Sequence, residues 1–191
     1  MSIQPRRYSE KTEERGGAKR WRTQPGGSIG GNPAYYEGTI YVTDEFSGPD
    51  GSLFVVDTTS GAIDHEDTRP TVWVGDMVMS GAAIDTDTET VYIGSHDQNC
   101  YALDAVTGEE VWRFETGGWI TGCPTVTAKY VLVGSYDGTL YALAKESSTE
   151  VWRMENEGWI TCEPLVHDGA VYYTERATEE AAGGIYRLVP A

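Results

Sequence analysis

The 191-residue chain lacks a long hydrophobic run, and no stretch approaches the roughly 18 apolar residues that a membrane-spanning helix requires. The first twenty residues, MSIQPRRYSEKTEERGGAKR, contain an arginine pair, but no hydrophobic segment follows it as it would in a secretory signal. We therefore expect no membrane span and a cytoplasmic location.

Cysteine is scarce, and the motifs of common catalytic sites are missing. Cys100, Cys123 and Cys162 form neither a CxxC motif nor an adjacent pair. An odd number of cysteines without a signal peptide predicts reduced, free thiols. The chain contains no HExxH, P-loop or glycine-rich dinucleotide motif. The residues therefore predict no catalytic and no cofactor-binding site, and we do not expect an enzyme.

Basic residues are few outside the N-terminal segment. Seven of the 14 Lys and Arg lie within residues 1–22, which leaves 7 basic against 27 acidic side chains over residues 23–191. A body this acidic repels phosphate groups, which excludes general binding to nucleic acid or to anionic lipid. High acidity with few lysines is typical of proteins from salt-loving, haloarchaeal cells. Residues 1–18 are predicted to be a flexible basic tail.

Glycine and aromatic residues are abundant, with 23 Gly, 12 Tyr, 6 Trp and 3 Phe. This composition favours turn-dense, all-β structure over a helix bundle. An internal repeat of about 40 residues supports the same interpretation, because the segment 112–144 recurs from residue 152. Its tryptophans mark successive units at spacings of 52, 39 and 40 residues: Trp21, Trp73, Trp112 and Trp152.

Units of this length, each with four short strands, are the sequence signature of a β-propeller. In the third unit we predict an inner strand over 121–127, strands over 130–135 and 139–144, and an outer strand over 150–154. Asp137-Gly138 forms the hairpin turn between the two middle strands. The predicted propeller domain covers residues 19–191, with units at about 21–73, 74–112, 113–152 and 153–191.

The segment YALDAVTGEEVW (101–112) resembles the tryptophan-docking repeat of quinoprotein-type propellers. That family includes pyrroloquinoline-quinone dehydrogenases and the bacterial outer-membrane assembly propeller lipoprotein. The resemblance covers residues 21–191 and implies four quinoprotein-like blades, as half of an eight-bladed ring or as a small closed propeller. The docking residues are structural, because a tryptophan on the outer strand packs on the next blade and glycine permits a left-handed turn. They are Trp21, Trp73, Trp112, Trp152, Asp104, Thr107 and Gly108.

The resemblance does not extend to the enzyme's site. Quinone dehydrogenases of this family are much longer, bind calcium through a Glu/Asn/Asp set and carry two adjacent disulfide-bonded cysteines. This chain has no adjacent cysteine pair and too few blades, so we expect no quinone cofactor. A quinone-binding redox protein and a truncated fragment of a longer propeller stay open as alternatives.

No metal site is predicted. His96 lies in the turn between a second and a third strand and His167 in the turn between a first and a second, and these turns open on opposite faces of a propeller. His65 lies in the loop that leads to an outer strand, so the three histidines cannot converge on one ion. They are expected to be exposed turn residues. The acidic run 85–89 lacks the glycine and distal glutamate of a calcium loop and is interpreted as a solvated turn.

One candidate ligand face remains. Trp119 and Trp159 occupy equivalent positions in two GWIT segments, and His96 and Tyr136 begin hairpin turns on the same face. Aromatic residues around an acidic funnel could bind a cation, a flat ligand or an extended peptide. The alternative is that the two tryptophans only fill the space between blades.

The favoured function is therefore a non-catalytic binding or scaffold module for a protein partner, because propellers present large rigid faces. An outer-type strand over 19–23 and a third-type strand over 184–189 are expected to pair and to close the ring. The pairing can occur within one chain or between two. The repeat resembles families that close at eight blades, so we predict a twofold dimer that completes an eight-bladed ring.

Overall fold

The computed structural model describes residues 21–23, 28–44, 51–63 and 72–189, and every regular element in these ranges is a β-strand. The predicted tail, residues 1–18, lies outside the described residues, and so does His65. Within the ranges described, no helix is long and apolar enough to cross a membrane.

The strands form four antiparallel sheets that follow one another along the chain. Blade 1 contains β1 (Ala34–Tyr36), β2 (Thr39–Asp44), β3 (Gly51–Asp57) and β4 (Val72–Val74). Blade 2 contains β5 (Ala83–Asp85), β6 (Thr90–Gly94), β7 (Asn99–Asp104) and β8 (Glu110–Glu115). Blade 3 contains β9 (Thr125–Val126), β10 (Tyr130–Gly134), β11 (Thr139–Ala144) and β12 (Glu150–Glu155). Blade 4 contains β13 (Leu165–His167), β14 (Ala170–Glu175) and β15 (Gly184–Leu188).

Each blade is a meander in which every strand pairs with the next one in sequence. The all-β propeller fold predicted from the repeat is therefore confirmed. Successive residues of a strand point to opposite faces of its blade, so one blade contributes to two different apolar layers. In β6, for example, Val91 and Ile93 belong to the core shared with blade 1, whereas Tyr92 belongs to the core shared with blade 3.

The turn between third and fourth strands follows directly from the docking motif. In blade 2, one carboxylate oxygen of Asp104 accepts hydrogen bonds from the backbone N–H groups of Val106 and Thr107. Gly108 then adopts a φ of 74°, which suits a residue without a Cβ. Blade 3 replaces this glycine by Ser148, which takes the same left-handed conformation with a φ of 54°. The blade therefore keeps its turn although its motif is degenerate.

The inner strand of blade 3 is shorter than predicted, since β9 covers only Thr125–Val126 rather than 121–127. Crowding near the propeller axis is the reason. The segment before β9 contacts the backbone of the next blade so closely that a Cβ on Gly122 would collide with the Cys162 carbonyl. Side-by-side contact of neighbouring blades replaces ladder pairing here. The outer strand β12 agrees with the prediction and extends to Glu155.

The predicted outer-type strand at the start of the domain is not formed over its described part. Residues 21–23 have no strand pairing. At the other end of the chain, β15 pairs only with β14 among the described residues. A strand forms only beside a hydrogen-bonded neighbour. Among the described residues, 21–23 have no third-type strand beside them, and β15 has no outer strand beside it.

The stability of this acidic fold is expected to rise steeply with salt. Folding brings the acidic side chains of residues 23–191 together, and the Debye length falls from about 10 Å at 0.1 M to about 3 Å at 1 M. Each kcal/mol of screened repulsion raises the Tm of a domain of this size by about 2–4 °C. Calorimetry across that range of potassium chloride measures the effect. A flat profile would contradict the halophilic interpretation.

Candidate functional site

The linkers between blades and the turns between second and third strands lie side by side on one face of the propeller. The same backbone hydrogen bond joins them in three blades, with a turn N–H donating to a linker carbonyl. The donor and acceptor pairs are His96 to Met77 (2.9 Å), Tyr136 to Trp119 (2.9 Å) and Arg176 to Trp159 (2.8 Å). Linker and turn side chains are therefore interleaved along this face.

The interleaved side chains form a continuous stack, here called the aromatic ladder: His96, Trp119, Tyr136 and Trp159. The ring centroids of His96 and Trp119 are 4.7 Å apart, and the two planes are nearly parallel at 3°. Trp119 and Tyr136 are 5.6 Å apart and tilted, and Tyr136 stacks on Trp159 at 4.9 Å. The Arg176 guanidinium lies 5.7 Å from the Trp159 ring and ends the stack. The four residues singled out as a candidate face thus lie together in the structure.

The ladder spans blades 2 to 4 and remains partly open to solvent. Trp119 is 49% exposed and Trp159 is 37% exposed. His96 is buried, so the expectation of an exposed turn histidine is wrong for this residue. Its ring is covered because Trp119 stacks on it in parallel. The two tryptophans therefore provide much of the accessible surface of the ladder, and the buried His96 ring packs against Trp119.

The docking tryptophans have a different environment. Trp112 is buried, and its indole N–H donates to the Lys145 carbonyl in the turn of the next blade (2.7 Å). Trp21 makes the matching contact, with its indole N–H donating to the Thr58 carbonyl of blade 1 (2.8 Å). Trp152 is half-buried against the core between blades 3 and 4, and the side chain of Trp73 lies outside the described residues.

Three carboxylates hold the ladder segments in place, and sequence reasoning missed them. Each accepts hydrogen bonds from a linker glycine N–H and from a tyrosine hydroxyl of the third strand. Asp137, for example, accepts from Gly117 (2.7 Å) and from Tyr141 (2.7 Å). The other two sets are Asp97 with Gly75 and Tyr101, and Glu175 with Gly158 and Tyr186. The available signal was an aspartate four residues before a tyrosine in two consecutive units.

The glycines before the ladder tryptophans are required by this close packing. A Cβ on Gly118 would lie 2.6 Å from the backbone nitrogen of Asp137. A Cβ on Gly158 would lie 2.5 Å from the carbonyl oxygen of Arg176. Any side chain at these positions would push the linker away from the turn and separate the stacked rings.

The tyrosines of these contacts titrate well above their ordinary range. Burial, together with the hydrogen bond to Asp97, raises the pKa of Tyr101 to about 12. The same two causes, with Asp137 as the acceptor, raise the pKa of Tyr141 to about 12. The pKa of Glu175 is lowered, first by the Tyr186 hydroxyl and then by the Gly158 N–H. The Glu175 contact therefore favours a neutral Tyr186 hydroxyl, whose pKa is raised, beside an ionised Glu175 carboxylate.

Glu175→Gln is expected to weaken the fold at pH 7 but not in acid. A carboxylate whose pKa is lowered by folding stabilises the native state above its unfolded pKa of about 4.3, and this contribution is lost as the pH falls through the lowered value. Urea unfolding at pH 7 and near pH 3 measures the difference from the parent chain. Glu179→Gln, on the exposed β14–β15 loop, is the matched control. An equal loss at both pH values would contradict the ionised contact.

A buried ion pair joins blade 2 to blade 3. It consists of Asp85 at the end of β5 and Lys145, which directly follows β11. Lys145 Nζ lies 2.5 Å from Asp85 Oδ2, and the two side chains are only 12% and 5% exposed. Burial is the largest single cause and raises the pKa of Asp85, but the contact with Lys145 and the hydrogen bonds from the Asp87 N–H and the Thr88 hydroxyl together outweigh it, so the pKa is lowered. The interpretation of 85–89 as a solvated turn is therefore wrong for Asp85 and agrees with the exposed residues 86–89.

The side chains that could ligate a metal ion do not cluster within the described residues. Over the ranges that the structure covers, no three His, Cys, Asp or Glu residues are placed to hold a metal ion. The three cysteines are free rather than bonded to one another, and burial raises the pKa of Cys123 to about 12. Asp97 and Asp137 on the ladder face already bind backbone N–H groups and tyrosine hydroxyls. His167 lies exposed at the end of β13.

Comparison with known proteins places these repeats in a family. The family described as outer membrane protein assembly factor BamB matches residues 11–112 and 96–188. The chain belongs to this BamB family. It superposes on BamB from Moraxella catarrhalis with a TM-score of 0.65 and 21% identity, over 81% of this chain and 49% of that one. The computationally designed Ika4 protein gives a TM-score of 0.64 and 15% identity, over 84% and 91% of the two chains.

Curated relatives match over a shorter segment. The quinoprotein ethanol dehydrogenase of Pseudomonas putida is 34% identical over 76 residues, which are 39% of this chain and 11% of that protein. The quinoprotein alcohol dehydrogenase PedE of the same species is 33% identical over the same length. The chain thus spans about a tenth of the dehydrogenases that it matches and about half of the Moraxella BamB chain.

Proposed function

We propose that this BamB-family propeller is a non-catalytic binding module whose aromatic ladder contacts a protein partner. The observation that carries the proposal is the ladder itself. Trp119 and Trp159 are large, partly exposed and held in fixed orientation, whereas Trp112 is buried and hydrogen-bonded between blades. Filling the space between blades accounts for Trp112 but not for the exposed surface of the ladder.

The ladder has the physical properties of a protein-binding surface. Tryptophan and tyrosine dominate the energetics of protein interfaces because they bury much area and lose few rotamers on binding. Here the rotamers are already restricted, since each ring is in contact with the next along the stack. Preorganisation of this kind lowers the entropic cost of association. A partner therefore gains contact area without having to order the surface that it meets.

Family membership supports the same proposal. The matching family is described as an outer membrane protein assembly factor, and assembly of proteins requires protein contacts. The strongly acidic body of the chain disfavours anionic partners such as nucleic acid. A protein with a neutral or basic docking surface is the partner that satisfies both observations.

The proposal is tested by comparing what three immobilised forms of the protein capture from an extract of the native host. The forms are the parent chain, Trp119→Ala/Trp159→Ala and the control Val111→Ala/Val151→Ala. The control residues are exposed apolar positions on the outer strands β8 and β12. Because a central tryptophan often contributes 2 kcal/mol or more, we expect the ladder variant to lose at least about tenfold of the specific capture. Equal capture by all three forms would overturn the proposal.

A quinone-binding redox protein would bind pyrroloquinoline quinone, whereas a non-catalytic binding module would not. We expect no binding of pyrroloquinoline quinone, because the described residues offer neither an adjacent cysteine pair nor a cluster of free metal ligands. Titration with the quinone and calcium, followed by tryptophan fluorescence, is expected to show no saturable quenching at micromolar cofactor. Saturable quenching that a chelator abolishes would favour the redox function instead.

A further inference from the structure

The first blade exposes an apolar residue whose equivalents are buried. Ile29 occupies the linker position that Ile120 and Ile160 occupy before blades 3 and 4. Both of those isoleucines are fully buried, because each packs against a glycine of the preceding blade: Gly94 for Ile120 and Gly134 for Ile160. Ile29 is 46% exposed. The described chain places no preceding blade against it.

Blade 4 also exposes an apolar residue whose equivalent in blade 3 is buried. Ile185 in β15 pairs with Thr174, as Leu140 in β11 pairs with Gly134. Leu140 is fully buried between blades 3 and 4, whereas Ile185 is 84% exposed. The edge of β15 is also open in the described residues, although β3, β7 and β11 each pair with an outer strand. Within residues 72–189, blade 4 thus has neither a fourth strand nor a following blade packed against it.

A segment in the position of an outer strand lies beside blade 1, at the opposite end of the row of blades. Trp21 donates its indole N–H to the Thr58 carbonyl of blade 1, and Trp112 donates in the same way to the Lys145 carbonyl of blade 3. Trp112 does so from the outer strand of the preceding blade. Residues 21–23 thus lie where the outer strand of a blade before blade 1 belongs.

The two ends do not complete each other within one chain. Near the axis, neighbouring blades contact through their backbones, as in the hydrogen bond from the Ala82 N–H to the Asn32 carbonyl (3.1 Å). Blades 1 and 4 approach through long side chains, with Asn32 Nδ2 and Glu163 Oε2 3.5 Å apart. This contact is made by exposed side chains rather than by the backbone. It leaves Ile29 and Ile185 exposed at the two ends.

We propose that a second copy of this chain completes the ring, with residues 21–23 of each copy forming the fourth strand of blade 4 in the other. The two ends are complementary halves of one blade, which is why the occupant is a second copy rather than an unrelated protein. Two identical junctions then close eight blades around a twofold axis. The exposed apolar side chains at both ends become buried, and the open edge of β15 gains a partner strand.

The proposal fixes the register of the junction. In blade 3, Leu140 faces Met154 and Tyr141 faces Arg153. By the same register, Ile185 of one copy faces Thr23 of the other. Directly opposed residues of antiparallel strands have Cβ atoms about 4.5–5.5 Å apart, close to the range that a disulfide spans.

Cysteine cross-linking tests the junction directly. Thr23→Cys/Ile185→Cys is expected to form a covalent dimer under mild oxidation, which reductant reverses. Each single variant controls for the native thiols, and Arg22→Cys/Ile185→Cys controls for register because neighbouring residues point to opposite faces. A cross-link within one chain would overturn the proposal in favour of a small closed ring. No cross-link beyond that of the controls would overturn it as well.

Light scattering on the uncross-linked protein gives an independent result. The parent chain is expected to have a mass twice the 20.9 kDa of one chain. Ile185→Glu, which places a charge in the proposed junction, is expected to give a folded monomer, whereas Val111→Glu on β8 leaves the dimer intact. A parent chain that is monomeric at micromolar concentration would contradict the proposal.

Discussion

Trp112→Ala is expected to lower the free energy of unfolding by about 3–5 kcal/mol, as truncation of a buried tryptophan usually does. The substitution leaves a cavity among Tyr92, Val131 and Leu143 and removes the hydrogen bond to the Lys145 carbonyl. Trp119→Ala, in contrast, is expected to cost about 1 kcal/mol, the value of an aromatic contact at a partly exposed site. Urea unfolding of both variants measures this contrast.

The contrast separates the two kinds of tryptophan in the chain. If Trp112 joins blades and Trp119 serves a surface function, only the first variant loses most of its stability. Comparable large losses in both variants would show that the ladder is part of the core, as the alternative interpretation of the sequence holds. Small losses in both would show that the docking repeat does not fix the blades.

Lys145→Met is also expected to lower the free energy of unfolding by about 3–5 kcal/mol. It leaves the Asp85 carboxylate buried between two blades without its counter-ion, and an unpaired buried charge is much more costly than the pair. Lys145→Met/Asp85→Asn removes both charges and is expected to recover much of the loss. Unfolding in urea, analysed as a double-mutant cycle, gives the coupling free energy.

An exposed pair in the same protein is the control for that cycle. Arg113 and Glu110 are 2.7 Å apart on β8, but their side chains are 55% and 37% exposed. Arg113→Met is therefore expected to cost less than about 1 kcal/mol. The Asp85 contribution should also vanish in acid, because a carboxylate with a lowered pKa stabilises the fold only while it is ionised. Equal losses of unfolding free energy in Lys145→Met and Arg113→Met would contradict the stabilising role of the buried pair.

The repeat made the propeller predictable, and it also predicted which aromatic residues share a face. A unit of about 40 residues brings equivalent residues to equivalent places, so two GWIT segments and two hairpin turns identified the ladder. The same reasoning did not foresee that His96 would be buried, because stacking depends on the distance between two blades. Arg176 was missed since its turn, 176–183, is longer than the turns of the earlier units.

Contacts between blades were the least predictable from the sequence. Asp85 and Lys145 are 60 residues apart and meet only because blades 2 and 3 pack with a particular offset. The carboxylate contacts that hold the linkers depend on a third partner, the glycine N–H, which no side-chain pattern reveals. Periodicity within a blade specifies its strands, whereas the joints between blades depend on packing in three dimensions.

The measurement that tests the binding face most directly is site-specific photo-cross-linking. A benzophenone-bearing phenylalanine analogue at position 119 keeps an aromatic ring in the ladder, and the same analogue at position 111 on the outer strand β8 serves as the control. In native host cells, the ladder position is predicted to give discrete cross-links to a partner protein that the control position does not give. Absence of such cross-links at position 119, or an identical pattern at both positions, would contradict the assignment of the ladder as the binding face.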